Sequence, residues 1–495
     1  MKNNIKILAI ETSCDETAAA IVDCNIKSMQ ITPLSSVVFS QIDLHKKYGG
    51  VFPELASREH IQKIMPVVKE ALFFGQAPNS KKQVTNKFQI TNSKLQTASH
   101  PHLSASRSAL IRDIDVIAVT TGPGLIGSLI VGVEFARGLA MALDKPVIPI
   151  NHLEGHIYAN FVGVSTGLSL RGTPKQSPVS SRPERRDPLY LPDEIASSVI
   201  TPPPRITDYR YVARRNDIPF PALALIVSGG HTLLVLMKDH LDYEIIGTTL
   251  DDAAGECFDK IARMLGLPYP GGPALSKLAE KGSATAFDFP RSMLNSGDFN
   301  FSFSGLKTAV FYKLRDLGLV NDKAEPIAEG EAPITKQQIT NKSQNSNHNN
   351  QTGVIPTRAE GSLTHSGDDL GTFGHRSSAR ADVAASAQQA IVDVLVKKTY
   401  AAAKQYKVRS ILVGGGVSAN STLRQAFGCH PDRSNSEAEG SLTHSRAFSV
   451  PVYLSPLELT GDNALSIAIA ACCRYQNGDV ISWIDLEANS SLKLK

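Results

Sequence analysis

The chain has 495 residues, of which 42% are hydrophobic, and a formal net charge of +4. That length suggests about two to four domains, and the apolar fraction is ample for real cores. Mild basicity tolerates an anionic partner but does not by itself argue nucleic-acid binding. Six cysteines, Cys14, Cys24, Cys257, Cys429, Cys472 and Cys473, show no zinc-knuckle or disulfide spacing and fit a reducing cytoplasm. The apolar stretch Ile5 to Ile10 is broken by Lys6 and no run of about 18 apolar residues occurs, so neither secretion nor a membrane span is expected.

In chain order, Ile7 to Ile10, Ala18 to Val22 and Val37 to Phe39 read as a β-meander. A helix is expected from Glu54 to Phe74, a strand at Asp115 to Val119, a Gly-rich turn, a helix from Gly127 to Leu143 and a buried strand at Val147 to Ile150. The same order then recurs. Strands at Ala222 to Val227, Leu233 to Met237 and Tyr243 to Gly247 precede a helix from Ala253 to Leu265. After a helix from Asp382 to Tyr406 come a strand at Ser410 to Val413, a helix after Ser418, a strand at Val450 to Leu454 and a last helix from Asp462 to Arg474. Two units of one element order imply two mixed α/β domains with a cleft between them.

Four segments break the pattern: Gln76 to Leu110, Gly163 to Asn216, Val320 to Arg380 and Gly428 to Phe448. They are rich in polar residues and Pro, lack sustained apolar periodicity, and read as inserted disordered loops. One octapeptide occurs at 359–366 and again at 438–445, which suggests repetitive insertions rather than a stacked solenoid.

Several motifs have two readings each. In Asn151-His152-Leu153-Glu154-Gly155-His156, two imidazoles at i and i+4 can share a metal ion, or one can cap and one can pack. The turns Thr121 to Ser128, Ser228 to Thr232 and Gly414 to Asn420 each follow a predicted strand. Each is either a tight packing turn or a cradle of backbone N–H groups for phosphate, and together they point to nucleotide binding. Asp251 to Lys260 starts a helix whose Glu256, Asp259 and Lys260 fit a solvated face, and Tyr269 to Pro273 bends the chain. Asp462 either caps the final helix or completes a site with His152 and His156.

Ile10 to Thr17 (Ile-Glu-Thr-Ser-Cys-Asp-Glu-Thr), His45 to Arg58, the Gly122 to Ser128 turn, Asn151 to His156, Val227 to Thr232, Asp251 to Lys260, Tyr269 to Pro273 and Phe301 to Thr308 together closely resemble the TsaD family. These are the tRNA adenosine threonylcarbamoyltransferases, once described as glycoproteases. The resemblance spans the whole core in order. It implies the actin-like ATPase fold of sugar kinases and chaperone ATPases, in agreement with the duplicated element order. The implied division is 1–150 as the first domain, 151–216 as a metal-binding helix plus insertion, and 217–495 as the second domain with insertions at 320–380 and 428–448.

The resemblance further implies that His152, His156 and Asp462 bind one Fe2+ or Zn2+ ion, and that Ile226, Val227, Ser228, Gly229, Gly230, Asp259, Gly272 and Asn420 hold threonylcarbamoyl-AMP. The implied reaction carries the threonylcarbamoyl group to N6 of the adenosine at position 37 of tRNAs reading codons that begin with adenine, with AMP released. The implied partners are tRNA and the TsaB and TsaE proteins, with no membrane, in the cytoplasm. Asp15 and Glu16 are candidates to orient or deprotonate the amine. Lys46, Lys47 and Arg58 are candidates for RNA phosphate, or solvated surface. The family often has Cys-Thr directly before the ligand Asp; here Thr460-Gly461 stand there, and the Asp is kept.

A zinc protease is the natural rival, because H-x-x-x-H occurs in zincins. There the catalytic Glu adjoins a His. Glu154 lies two residues from each His, about 200° around an ideal helix, and points away from the shared face. A small-molecule kinase or carbamoyltransferase of the same fold, and a non-enzymatic nucleotide-dependent scaffold, are the other rivals.

Overall fold

A computed structural model describes residues 2–74, 111–164, 211–212, 218–327, 369–428 and 450–494. Of the four expected insertions, 76–110, 165–210, 213–216, 328–368 and 429–448 lie outside the described residues.

The first half runs β1 (Asn4–Glu11), β2 (Glu16–Asn25), β3 (Gln30–Ser40), α1 (Ile42–His45), α2 (Pro53–Phe74), β4 (Val116–Gly122), α3 (Ile126–Leu143), β5 (Val147–Asn151) and α4 (His152–Tyr158). A two-residue ribbon, β6 (Gly163–Val164) with β7 (Tyr211–Val212), leads to the second half. There β8 (Ala222–Val227), β9 (Thr232–Asp239) and β10 (Asp242–Thr248) precede α5 (Ala254–Met264), α6 (Gly271–Ala279), α7 (Ser304–Asp316) and α8 (Asp369–Gln405). The chain ends through β11 (Ser410–Gly414), α9 (Ser421–Ala426), β12 (Val452–Leu454) and α10 (Ala464–Asn477).

The two five-stranded sheets have one topology, β3-β2-β1-β4-β5 and β10-β9-β8-β11-β12. In each, an antiparallel meander continues into two parallel strands. This is the duplicated mixed α/β architecture expected of the actin-like ATPase fold. Both faces of the first sheet are buried. Ile7 and Ala9 face the interior with Ala224, Ile226 and Val235 of the second sheet, and Leu8 and Ile10 face α2 and α3 through Val67, Ala71, Val133 and Ala136. A strand buried on both faces must be apolar throughout, as the Ile7 to Ile10 run is.

Between the sheets lie α4 and α10. From Ala464 to Cys473 every residue of α10 is buried, with Ile467, Ala468 and Ile469 in the core that the sheets share. Gly155 lets α10 approach closely: a Cβ there would stand 2.7 Å from Ile467 Cδ1. Helix α3 is the one helix among the described residues long and apolar enough to cross a membrane by length and composition. Here it packs Leu129, Val133, Ala136 and Ala140 inward and carries Arg137, which donates to the carbonyls of Trp483, Ile484 and Leu486.

Several elements lie outside the sequence expectation, among them the β6–β7 ribbon inside the expected 163–216 insertion. Helix α8 starts at Asp369 rather than Asp382, inside an expected insertion; from Ala381 onward it packs into the core, and helix propagates cheaply outward from a packed segment. Tyr269 to Pro273 does not only bend the chain but opens α6, because Asp259 Oδ1 accepts from Gly271 N and Gly272 N at 2.8 and 3.3 Å. Helix α7 starts at the end of the Phe301 to Ser304 stretch, where no element is expected. Asp251 starts it, accepting from the Phe303 and Ser304 amides and the Ser302 and Ser304 hydroxyls.

Candidate metal centre and substrate cleft

The parallel strands β1, β4 and β5 of one sheet and β8, β11 and β12 of the other run toward one region with their carboxyl ends, where open α/β sheets bind ligands. Asn151 ends β5 and caps α4, its side chain accepting from Leu153 N at 2.9 Å. That start places His152 and His156 one turn apart with ring centroids 4.7 Å apart, both nearly buried.

Asp462 reaches the pair from the start of α10. Its Oδ1 stands 3.6 Å from His152 Nε2 and 3.5 Å from His156 Nε2, and the three ligand atoms lie within 4.8 Å of one another. Two ligands each about 2.0–2.2 Å from one ion can be up to about 4.4 Å apart, so both carboxylate distances fit. The helix cap is Asn463, whose side chain accepts from Ser466 N at 2.9 Å. Of the two readings of Asp462, the capping one falls to its neighbour, and the Asp462 carboxylate is left for the cleft.

His156 Nε2 is buried with no hydrogen-bond partner, a costly state for a ring nitrogen unless an ion takes the lone pair. On His152 the other nitrogen is committed. Nδ1 stands 3.0 Å from Ser13 Oγ and 3.2 Å from Glu11 Oε2. Glu11, at the end of β1, is buried and also accepts from Ser13 N at 2.6 Å and Thr120 Oγ1 at 2.7 Å. With Nδ1–H turned to Glu11, Nε2 faces Asp462, the carboxylate–histidine arrangement common around bound metals. Without an ion, burial lowers His152 but Asp462 and Glu11 outweigh it and raise the ring to about 9, a proton that a bound cation would displace. Two His and one carboxylate, with coordination positions left over, fit Fe2+ or Zn2+ in a catalytic rather than a structural site.

The electrostatics agree. Burial pushes Asp462 up to about 6, with Glu11 and Asp15 adding to the rise against the His152 charge. Burial would also raise Glu11, but His152, Thr120 and Ser13 outweigh it and hold the carboxyl down at about 2. Burial lowers His156 well below the ordinary imidazole range, as a metal ligand needs. Acids outnumber cations here, a balance that a divalent cation corrects.

Asp15 and Glu16 occupy the β1–β2 turn. Glu16 is pushed well up by burial, then by Asp15 and Asp462, and accepts from Ser40 Oγ at 3.1 Å. The turn is latched from α1 and α2: His60 Nε2 lies 3.0 Å from Cys14 O, His60 Nδ1 lies 2.7 Å from Thr17 Oγ1, and Gln41 N donates to Asp15 O at 3.0 Å.

On the facing domain, Ser228 to His231 forms the turn between β8 and β9, with Ser228 N donating to His231 O at 2.8 Å. Cβ atoms at Gly229 and Gly230 would meet nothing within 4 Å, so their backbone is open. The His231 ring stands 6.4 Å from that of His152, bringing this turn beside the His pair. Gly255 and Gly415 pack under it; a Cβ at Gly255 would meet Ser228 O at 2.5 Å and one at Gly415 (φ 92°) Val227 O at 2.5 Å. Ile226 and Val227 are buried strand residues behind the turn. Gly272 is open, and Asp259 is raised by burial, with Asp15 a smaller contributor from across the cleft. Asn420 uses its side chain internally. It caps α9 through Leu423 N and donates to Ser276 Oγ and Gln388 Oε1, each at 2.9 Å.

The turn at Gly122 behaves differently. A Cβ on Gly122 would lie 1.8 Å from Asn489 O and one on Gly124 2.5 Å from Ser13 O, so the chain itself fills this turn and the packing reading holds. Of the three glycine turns, the two on the second domain keep open glycines, Gly229, Gly230 and Gly416. Glu154 is fully buried away from the His pair, its carboxylate held by Arg474 Nε at 2.9 Å and by Arg474 Nη2. That removes the group a zincin mechanism would need. Sequence reading passed over Glu11, His60 and His231. The signal for each was a polar residue inside or beside an apolar strand or helix face.

A family model described as TsaD: tRNA N6-adenosine threonylcarbamoyltransferase matches residues 32–78, 103–172 and 209–469. A protein of Moorella thermoacetica named tRNA N6-adenosine threonylcarbamoyltransferase is 37% identical over 473 residues, 96% of this chain and 93% of that protein. One of the same name from Bacillus subtilis is 36% identical over 493 residues, 100% of this chain and 97% of that protein. Among solved structures, YeaZ from Pseudomonas aeruginosa aligns at 17% identity over 32% of this chain and 48% of its own, with a TM-score of 0.19. With the family model matched over most of the chain and full-length relatives well above 30% identity, this chain belongs to the TsaD family of tRNA-modifying transferases.

Proposed function

We propose that the chain transfers the threonylcarbamoyl group of threonylcarbamoyl-AMP to N6 of adenosine 37 in tRNAs reading codons that begin with adenine. The observation that carries this is the juxtaposition across the cleft of the His152, His156 and Asp462 cluster with the open Ser228 to His231 turn. One Fe2+ or Zn2+ held by the three residues would supply Lewis-acid stabilisation of the donor's carbonyl and phosphate oxygens.

The chain's own groups do the rest. Backbone N–H groups at Gly229 and Gly230 receive the adenylate and its departing phosphate, with the open backbone of Gly272 beside them. Ile226, Val227 and Asp259 shape that pocket, and Asn420 fixes its wall between α9 and α6. The N6 amine attacks the carbamoyl carbon, the mixed-anhydride C–O bond breaks, AMP leaves and the amine loses a proton. Asp15 and Glu16, the two acids of the first turn, orient the amine and take up its proton. TsaB and TsaE are the partner proteins this reading supplies, and the cytoplasm is its compartment.

The test is nucleoside mass spectrometry. With partners, divalent metal, threonylcarbamoyl-AMP and unmodified tRNA, the chain should yield threonylcarbamoyladenosine and an equal amount of AMP. No product under conditions that support a Bacillus subtilis relative overturns the reading.

A further inference from the structure

The loop from Gln41 to Phe52 carries features that the metal centre does not use. Tyr48 and Phe52 are 55% and 43% exposed and lie beside each other, with ring centroids 5.6 Å apart at 36°. Two neighbouring aromatic rings left in water are the kind of exposed patch that marks a binding surface. Cations neighbour them along the chain. Lys46, Lys47 and Arg58 are exposed; Lys46 reaches Asp43 at 2.6 Å, while Lys47 and Arg58 form no ion pair among the described residues.

This loop is held against the reaction site. Gln41 N donates to Asp15 O, His45 Nε2 lies 3.2 Å from Gln41 Oε1, and Phe52 N donates to His45 Nδ1 at 3.3 Å. From the second domain, Arg263 of α5 donates to Gly49 O, so the loop bridges the cleft at its rim. The floor behind that rim is acidic, with Glu11, Asp15, Glu16, Asp259 and Asp462 converging on it. Such a floor repels a phosphodiester strand, so a polyanion that presents one base to it must find its cations at the rim.

We propose that Tyr48 and Phe52 form a stacking platform for an unpaired nucleobase of the anticodon loop flanking the modified adenosine, with Lys46, Lys47 and Arg58 taking phosphates of the same strand. This rests on the tRNA-acceptor reading above. The two rings already pack on each other, so the base stacks on the outer side of the pair. Stacking accepts any base, which suits an enzyme that must serve tRNAs with different neighbouring nucleotides.

The experiment measures KM for unmodified tRNA with the full chain, its partner proteins, metal and threonylcarbamoyl-AMP. For the double variant Tyr48→Ala/Phe52→Ala, KM for tRNA should rise about 5- to 150-fold, the loss of one stacked base, while metal content and KM for the donor stay at wild-type values. Tyr48→Phe and Phe52→Tyr should restore it, whereas Tyr48→Leu/Phe52→Leu, apolar but without a π face, should not. An unchanged tRNA KM in the alanine variant overturns the platform. So does restoration by leucine, or weakened assembly with a partner protein at unchanged tRNA KM, since either points to a protein-binding patch. A wild-type chain that makes no product sinks the transferase reading instead, and anisotropy of a labelled anticodon stem-loop RNA then decides the platform alone: equal affinity in wild type and alanine variant contradicts it.

Discussion

At Nδ1 of His152, Glu11 Oε2 and Ser13 Oγ stand at 3.2 and 3.0 Å, and this choice of partner leaves Nε2 on the side of Asp462. Such outer partners are commonly worth a factor of about 10–100 in metal affinity. Glu11→Gln should therefore weaken Zn2+ binding by about that factor, measured by competition with a chromophoric chelator, without removing the site as His156→Ala does. Undiminished metal in His156→Ala, seen by elemental analysis, would refute the ligand set. Glu154 has a different task. Its buried carboxylate pairs with Arg474, and removing one member of a buried pair costs about 3–5 kcal/mol. Glu154→Ala should lose that much in urea unfolding; a fully stable but inactive variant would instead favour the peptidase rival. Much of this scale was legible in the sequence. The His pair and the off-face Glu154 can be read from spacing, whereas spacing leaves Asp462 as either cap or third ligand and only the resemblance to the TsaD family implies the ligand. Glu11 and Asn463 cannot be read so, because which of two neighbouring polar residues caps a helix and which faces a cleft depends on where the strand and helix ends meet.

Elements hold these side chains in place through close backbone approaches. A Cβ at Gly414, the end of β11, would lie 2.3 Å from His156 O. Gly414→Ala should push α4 away, costing about 1–3 kcal/mol in stability and weakening metal binding together. Stability alone falling, with metal affinity intact, would show that the contact is only packing. Helix α7 depends on Asp251. Burial favours its neutral form, but the Ser302 and Ser304 hydroxyls and the Phe303 and Ser304 amides outweigh it and lower its pKa below the ordinary 3.8. The unfolded chain then binds the proton more readily, so this stabilisation is complete above pH 3.8 and is lost as pH falls through the lower folded value. The gap in urea midpoint between wild type and Asp251→Asn should close on that acid limb, and a gap constant with pH would count against it. Long apolar strands and periodic helices were readable here. Helices α6 and α7 were not, since their starts are set by Asp259 and Asp251 from elsewhere in the chain.

For the whole molecule, the repeated strand order brings the parallel strand ends of both sheets to one cleft, with α4 and α10 packed between the sheets. Element order alone made that duplication legible. The burial of α10 against both sheets was not, because an all-apolar helix carries no sign of which sheet it will meet. From this arrangement follows the central claim, that one metal ion between the two domains serves acyl transfer to tRNA. The most direct measurement strips the wild-type chain with a chelator, restores Fe2+ or Zn2+, and follows threonylcarbamoyladenosine at each stage beside Asp462→Ala. Activity should vanish and return in the wild type and stay absent in the variant. Full activity in the stripped chain, or in Asp462→Ala, would contradict the account.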